Sequence, residues 1–130
     1  MMNLKQSLLA AGFAGSVTFL AACGGGDSSQ RALSPEAIAE AEGLFKTVCV
    51  ACHGESGQGD GPGSAALNPK PRNYTDRAWQ KQVDDEYLGK IIVYGGAAVG
   101  KSVTMPGNPQ LGSKPEVVSA LVAKIRSFGN

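Results

Sequence analysis

The stretch Cys49-Val50-Ala51-Cys52-His53 places two thiols three residues apart, with an imidazole directly after the second thiol. Side chains at positions i and i+3 of a helix share one face, so Cys49 and Cys52 can each add to a vinyl group of the same porphyrin. The histidine that follows the second thioether then lies beneath the iron. This spacing is typical of c-type haem attachment, and it predicts one covalently bound haem c with His53 as an iron ligand.

The second axial ligand of the iron is predicted by elimination. Haem iron in proteins takes His, Cys thiolate, Met or Tyr, and His53 is the only histidine, so this chain cannot form a bis-His site by itself. Two of the three methionines open the chain in a predicted leader, which leaves Met105. Pro106 restricts the preceding residue to extended backbone, so we predict that Met105 lies on a stiff loop and ligates the iron. A lone methionine is otherwise often core filler, and Lys101 is the main substitute ligand.

Residues 1–22 form a predicted lipoprotein signal peptide. Lys5 gives a positive start, and the mostly apolar run 8–20 suits a secretory signal better than a membrane-spanning helix. The run closes with Leu20-Ala21-Ala22-Cys23, which resembles a bacterial lipobox, so Cys23 is predicted to be lipidated. Residues 23–33 then form a linker whose glycines and serines are typical of a flexible tether. The alternative is an ordinary signal peptide with Cys23 near its cleavage site by chance.

These features predict a lipoprotein of the bacterial cell envelope that faces the periplasm and is attached to a membrane through its lipid. Gly24 follows Cys23 where an Asp would favour the inner membrane, so the outer membrane is slightly favoured, as in lipoproteins of similar sequence. Cys23 is assigned to lipid, and Cys49 and Cys52 are assigned to haem. No thiol therefore remains for a structural disulfide, although this compartment would permit one.

Residues 34–130 are predicted to form a single domain. The chain has 12 Lys and Arg against 11 Asp and Glu, a balance that offers no basic stripe for nucleic acid and little steering towards a highly charged partner. It also has 18 glycines and only 6% aromatic residues. A small domain with so modest a core usually needs a covalent or metal staple, and the haem would fill that role.

Three helices are predicted, over residues 35–48, 84–94 and 115–128, and no strand alternation persists between them. Ser34 is a suitable N-cap for the first helix, because its hydroxyl can accept from a free backbone amide. Apolar residues recur at intervals of three and four in each helix. The positions expected to face inward are Ala37, Ile38, Ala41, Leu44, Phe45, Val48, Tyr87, Leu88, Ile91, Ile92, Tyr94, Val117, Val118, Leu121, Val122, Ile125 and Phe128.

The segments 49–54 and 57–62, followed by Leu67 and by Met105-Pro106, resemble the small bacterial class I cytochromes c. The resemblance covers residues 35–128. It implies an all-α cytochrome c fold, with three to five helices around one covalently attached haem and with the N- and C-terminal helices crossing. It also implies an electron-transfer protein rather than an enzyme.

The resemblance further implies roles for residues around the haem. The carbonyl of Pro62 would accept a hydrogen bond from the free ring nitrogen of His53, which strengthens a metal-ligating imidazole, and Leu67 would pack on the haem. Four more residues fall where relatives place groups near the propionates: Arg72, Asn73, Tyr74 and Trp79. The alternative is that Arg72 is a solvated loop residue and Trp79 is ordinary core.

Two positions depart from the family pattern. Ala41 stands where relatives usually carry a glycine that lets the terminal helices touch, and Lys124 stands where they often carry an aromatic residue. Alanine is small enough to keep the contact with a slight shift. The change at Lys124 puts the helix contact in doubt, with Phe128 as a replacement one turn later.

A haem with both axial positions filled leaves no open site for a substrate, so the predicted chemistry is outer-sphere electron transfer with redox partner proteins. The expected docking face lies near Val50, Ala51, Gly54 and the Met105 loop. A haem enzyme or gas sensor would instead have a weak or absent sixth ligand. A zinc site would need a fourth ligand at suitable spacing, and a thioredoxin-like dithiol would need a βαβ context.

Overall fold

The computed structural model describes residues 32–130, and the helices in this part of the chain confirm the all-α prediction. No strand occurs within these residues. The predicted signal peptide, Cys23 and most of the predicted linker lie outside the described residues. The helices are α1 (Pro35–Leu44), a π-helical turn (Phe45–Cys49), α2 (Val50–His53), α3 (Arg77–Gln82), α4 (Asp85–Tyr94) and α5 (Pro115–Ser127), with 3-10 turns at Pro62–Ser64, Gly96–Val99 and Pro109–Ser113.

Helix α1 begins where the sequence predicts. The hydroxyl of Ser34 accepts a hydrogen bond from the Ala37 amide at 3.2 Å, and Pro35 occupies the first helical turn, where a missing N–H costs nothing. The helical path does not end at residue 48, because the π turn and α2 carry it on to His53. The chain thus delivers both cysteines and the histidine on one uninterrupted helical segment.

Two residues of this segment predicted to face inward are exposed. Ile38 and Val48 are each 45% exposed. The buried stripe follows Ala37, Ala41 and Phe45, four residues apart, so Ile38 lies to one side of it. The π turn widens the helix between Phe45 and Cys49 and rotates Val48 away from the same stripe.

Helix α5 packs against α1, and Ala41 is 2% exposed at α1. Lys124 occupies the place of the expected aromatic residue, and its ammonium lies 5.7 Å from the ring centre of Phe45 and 5.4 Å from that of Phe128. The same ammonium pairs with Glu42 of α1 at 3.0 Å. The helix contact is therefore retained, since Lys124 supplies cation–π contacts and the two phenylalanines meet with ring centres 5.4 Å apart.

Helix α4 is capped by Asp84, whose carboxylate accepts from the Tyr87 amide at 2.7 Å. Its inward face holds Leu88, the most deeply buried large side chain of the described residues. Tyr94 is 65% exposed and not inward, because the helix ends there and Gly95 turns the chain away with φ +81°. None of the helices within residues 32–130 is long and apolar enough to cross a membrane.

Candidate functional site

The end of the continuous helical segment presents both thiols and the imidazole. Cys49 and Cys52 are free and half-buried, whereas His53 is 7% exposed. The glycine-rich loop folds back over this end, so that the amide of Gly59 donates to the His53 carbonyl at 2.8 Å and that of Gly61 donates to the Cys52 carbonyl at 3.1 Å. These bonds satisfy carbonyls that a helix end otherwise leaves without partners.

The loop can lie this close only because it is built of glycine. A Cβ at Gly61 would overlap the carbonyl oxygen of Val50 and lie 2.6 Å from that of Ala51. A Cβ at Gly63 would lie 3.0 Å from the Ala51 carbonyl oxygen and 3.6 Å from the Cys52 sulfur. The backbone therefore passes directly beside the thiol-bearing turn, where any side chain would fill the space.

Both ring nitrogens of His53 have partners from one short segment. Nδ1 lies 3.2 Å from the carbonyl oxygen of Arg72, and Nε2 lies 3.0 Å from the hydroxyl of Tyr74. A carbonyl can only accept, so Nδ1 donates the proton and Nε2 keeps the lone pair that binds metals. Burial lowers the pKa of His53, and the Arg72 carbonyl opposes that effect in part. The ring is thus held neutral and in the tautomer that ligates iron through Nε2.

Pro62 is not the partner of Nδ1 in the described residues, and the role that the resemblance gives it beside bound haem stays a prediction. The sequence resemblance assigns the acceptor to the Pro62 carbonyl, but in the described residues the acceptor is the carbonyl of Arg72. The amide of Tyr74 donates to the Gly57 carbonyl at 2.7 Å, which draws the 72–74 segment across the imidazole. Pro62 instead opens the 3-10 turn that follows the glycine-rich loop.

Tyr74 is the centre of an aromatic cluster around the histidine. Its ring stacks on that of His53 with centres 4.4 Å apart, and the rings of Trp79 and Phe128 follow at 5.8 Å and 6.2 Å. Burial raises the pKa of the Tyr74 hydroxyl, and the nearby Cys49 and Cys52 raise it further. The hydroxyl therefore stays protonated at neutral pH and donates to the imidazole.

The remaining candidate residues are placed as follows. The guanidinium of Arg72 pairs with Asp76 and lies 5.1 Å from the ring centre of Trp79. Asn73 accepts from the amide and hydroxyl of Thr75 at 2.9 and 2.8 Å, so its side chain fixes its own turn. The contacts of Arg72, Asn73 and Trp79 with the haem propionates remain a prediction.

Leu67 and Met105 lie on turns. Leu67 is half-buried, and its amide donates to Ser64 at 3.0 Å. Met105 is half-buried on the loop between the second and third 3-10 turns, as predicted from Pro106, and is not part of a helix. Its role as an iron ligand stays a prediction.

The Cys49 thiol is held in its neutral form. Burial raises the pKa of Cys49 to about 11, and the neighbouring Cys52 adds to this shift. No group of three or more His, Cys, Asp or Glu suited to a metal ion occurs among residues 32–130, which gives the zinc alternative no support. Two free thiols and a neutral imidazole at one helix end, beside a glycine cradle, match the donor set of a c-type haem.

Haem bound here would be held by Cys49, Cys52 and His53, and it would supply a one-electron iron couple. One adjustment is needed, because the hydroxyl of Tyr74 shares the Nε2 lone pair that iron would take. No sequence pattern indicates the Arg72 contact, since a backbone carbonyl acts through its position and not through its side chain. Tyr74 stands between polar residues, with no periodic pattern to indicate its contact with His53.

Comparison with known proteins places the chain in a family. The sequence model of the family described as Cytochrome c matches residues 38–128, which span the helical segment, the glycine-rich loop, Met105 and α5. No curated protein matches this chain significantly. Members of the family generally carry electrons and are not enzymes. The chain therefore belongs to the cytochrome c family, as a class I c-type cytochrome with covalently attached haem c and a role in haem-based electron transfer.

Proposed function

We propose that this protein is a membrane-anchored one-electron carrier whose iron is ligated by His53 and Met105. The observation that carries the proposal is the uniqueness of both side chains. His53 is the only histidine, and Met105 is the only methionine after residue 2. Because a thioether is the usual partner of histidine in cytochromes c, Met105 is the natural second ligand.

The main chain around Met105 supports a fixed ligand. The amide of Gly96 donates to the Met105 carbonyl at 3.0 Å, and the amide of Met105 donates to the Ser102 carbonyl at 3.3 Å. Gly95 has φ +81°, and a Cβ there would lie 2.9 Å from the Met105 carbonyl oxygen. The loop thus lies tightly against the end of α4, which limits how far the methionine can move.

Two ligands held by separate parts of the fold would favour simple electron exchange. His53 is held by the 72–74 segment, and Met105 is held by the turn after α4. With both in place no site is open to a substrate, and the chain need not rearrange when the charge of the iron changes. A thioether ligand also raises the reduction potential.

The proposed setting is the bacterial cell envelope. Lipidated Cys23 and residues 24–33 would anchor and tether the domain on the periplasmic side, with the outer membrane slightly favoured. Redox partner proteins would dock near the haem-bearing turn and the Met105 loop. Ala51 in the haem-bearing turn is exposed, and Val103 in the Met105 loop is 80% exposed. Both side chains are uncharged, which supports a docking face that is accessible and weakly charged.

The substitution Met105→Ala tests the ligation. We expect covalent haem to remain, because the thiols are untouched, while the red absorption band of the sulfur–iron bond disappears and carbon monoxide binds readily. Loss of the thioether should lower the reduction potential by an amount on the order of 0.1 V, as axial ligands set this quantity. Absorption spectra and potentiometric titration measure these effects.

Val103→Ala is the matched control, since it removes a similar apolar side chain from the same loop but is highly exposed. It should leave the band and the potential unchanged. A Met105→Ala protein that keeps the red band would show that Met105 is not the ligand. Rapid carbon monoxide binding by the unaltered protein would favour a haem enzyme or a gas sensor.

A further inference from the structure

Two uncharged stretches of the chain meet at the turn that bears the thiols. Residues 47–54 contain no Asp, Glu, Lys or Arg, and neither do residues 61–69. A Cβ on Gly63 would lie 3.0 Å from the Ala51 carbonyl oxygen and 3.6 Å from the Cys52 sulfur. The second stretch therefore lies directly beside the haem-bearing turn.

The residues that these stretches present to solvent form an uncharged face, which we define as Val48, Ala51, Pro62 and Gly63. Val48 is 45% exposed, and the other three residues are exposed as well. Val48 and Ala51 are three residues apart on one helical segment, so they share a side of it. The core of a protein interface differs from the rest of the surface by its lack of charged residues, and the uncharged face has that composition.

Charged side chains of both signs stand around the uncharged face. Next to Ala51, Val50 lines a shallow depression whose lining includes two carboxylates and two ammonium groups, those of Glu42, Glu55, Lys46 and Lys124. At the 3-10 turn, the Lys70 ammonium donates to the Ser64 carbonyl at 2.9 Å, and Asp60 is exposed just ahead of this turn. Neither sign prevails, as in the whole chain, which has 12 Lys and Arg against 11 Asp and Glu.

We propose that the uncharged face also receives a second copy of this chain, and that the copies pass electrons to one another. Two identical faces with one sign of charge would repel each other, because like charges opposite each other across an interface are costly. An uncharged face with a rim of both signs removes that repulsion. In a two-fold contact, a rim carboxylate of one copy can meet a rim ammonium of the other. A partner selected by charge would instead require a rim of one sign.

The exchange between copies needs no other reactant. One electron leaves a reduced copy and enters an oxidised copy, so each becomes what the other was, and no bond or proton changes place. Copies anchored in one membrane would meet at a raised local concentration, so electrons could travel along the membrane from copy to copy. This inference rests on the proposed one-electron transfer at the haem-bearing turn, and it does not depend on which residue is the second iron ligand.

The test compares the holoprotein with its Ala51→Lys variant, which adds one charge at the centre of the face on each copy. NMR spectra of mixed reduced and oxidised protein give the rate constant of electron exchange from the widths of the haem signals. We expect this rate constant to change little with salt in the unaltered protein, and to be roughly tenfold lower in the variant at low ionic strength. Added salt should restore most of the variant's rate, because it screens the repulsion.

The contact between copies is measured separately in the fully reduced holoprotein, where no electron can be exchanged. The amide signals of Val48 and Gly63 should shift as the unaltered protein is concentrated, whereas those of the Ala51→Lys variant should stay constant.

Ala39→Lys is the matched control for both measurements. It adds the same charge at an exposed alanine of α1, about 18 Å from Ala51 along the helical segment. The electron-exchange rate and the concentration dependence of the amide signals should match those of the unaltered protein. If Ala51→Lys fails to mature, Val48→Lys takes its place, because Val48 lies outside the haem-attachment motif.

Three results would overturn the proposal. They are equal exchange rates in the Ala39 and Ala51 variants, amide signals of the unaltered protein that do not depend on concentration, and a steep dependence of its exchange rate on salt. A failure of the proposed function is distinct from these. It would appear as a potentiometric titration of the unaltered holoprotein that lacks a one-electron couple.

Discussion

Ser34 shows how much one side chain contributes at the start of this fold. Its hydroxyl caps α1 through the Ala37 amide, and its own amide donates to the carboxylate of Glu116 in α5 at 2.8 Å. We expect Ser34→Ala to lower the free energy of unfolding by about 1 kcal/mol, the usual cost of a lost N-cap. Urea denaturation of the holoprotein measures this change.

Ser119→Ala is the control for that measurement. Ser119 is exposed within α5, and its hydroxyl bonds the Pro115 carbonyl of the preceding turn. Alanine is the best helix former, so this variant should be as stable as the unaltered protein or slightly more stable. Equal losses in both variants would contradict the capping role of Ser34.

Single residues also show where sequence analysis reaches its limit. The role of Ser34 as a cap could be predicted, because a cap acts on an amide two or three residues away. The acceptor for Nδ1 of His53 could not, since Arg72 lies 19 residues away and contributes only its carbonyl. The resemblance assigns this role to Pro62, which stays a prediction for the haem-bound protein.

At the scale of elements, two glycines are expected to respond in opposite ways to alanine. Gly43 lies within α1 with open space around it, so Gly43→Ala should raise the free energy of unfolding by about 0.5–1 kcal/mol. Gly61 lies against the carbonyls of Val50 and Ala51, so Gly61→Ala should lower it by about 1–3 kcal/mol through overpacking. Denaturation curves measure both changes.

The haem content provides a second measurement on the same pair. Gly61→Ala pushes the loop away from the turn that bears Cys52, so a smaller fraction of the purified chain should carry covalent haem. Gly43→Ala should keep the full content. A Gly61→Ala protein with normal stability and normal haem content would show that neither property depends on the close approach of the loop to the carbonyls of Val50 and Ala51.

A helix could be predicted from the sequence where its causes lie within its own segment. The regions of α1, α4 and α5 follow from caps and apolar periodicity within each segment. The π turn and α3 were not predicted. The π turn interrupts a periodic stretch that reads as ordinary helix, and α3 has only six residues with no buried stripe. Helix α3 is instead fixed by Gln80 and Arg126, a contact across 46 residues.

At the scale of the molecule, surface charge contributes little to stability. Two of the four ion pairs among residues 32–130 join side chains that are both about two-fifths exposed, Arg72 with Asp76 and Lys114 with Glu40, and pairs of this kind contribute little. The core is a single cluster to which α1, α4 and α5 contribute, with Tyr74 at its edge towards His53. Stability therefore depends on the packing that also encloses the histidine.

That enclosure predicts how stability changes with acidity. Burial lowers the pKa of His53 in the folded chain, whereas the unfolded chain has an ordinary histidine with a pKa of about 6.5. Below that pH the unfolded state binds a proton that the folded state refuses, so the free energy of unfolding falls as the pH falls. The slope can reach at most about 1.4 kcal/mol per pH unit for one group. Denaturation between pH 7.5 and 5.5 measures it.

Between pH 7.5 and 5.5 the change in stability can be assigned to His53, because it is the only histidine and carboxylates titrate mainly below this range. Iron on Nε2 would act in the same direction, since metal and proton compete for one lone pair. The free energy of unfolding should therefore fall while the absorption spectrum of the folded protein stays the same. A free energy of unfolding that stays level across the window would mean that folded and unfolded chains bind the proton equally, which a buried, neutral His53 does not allow.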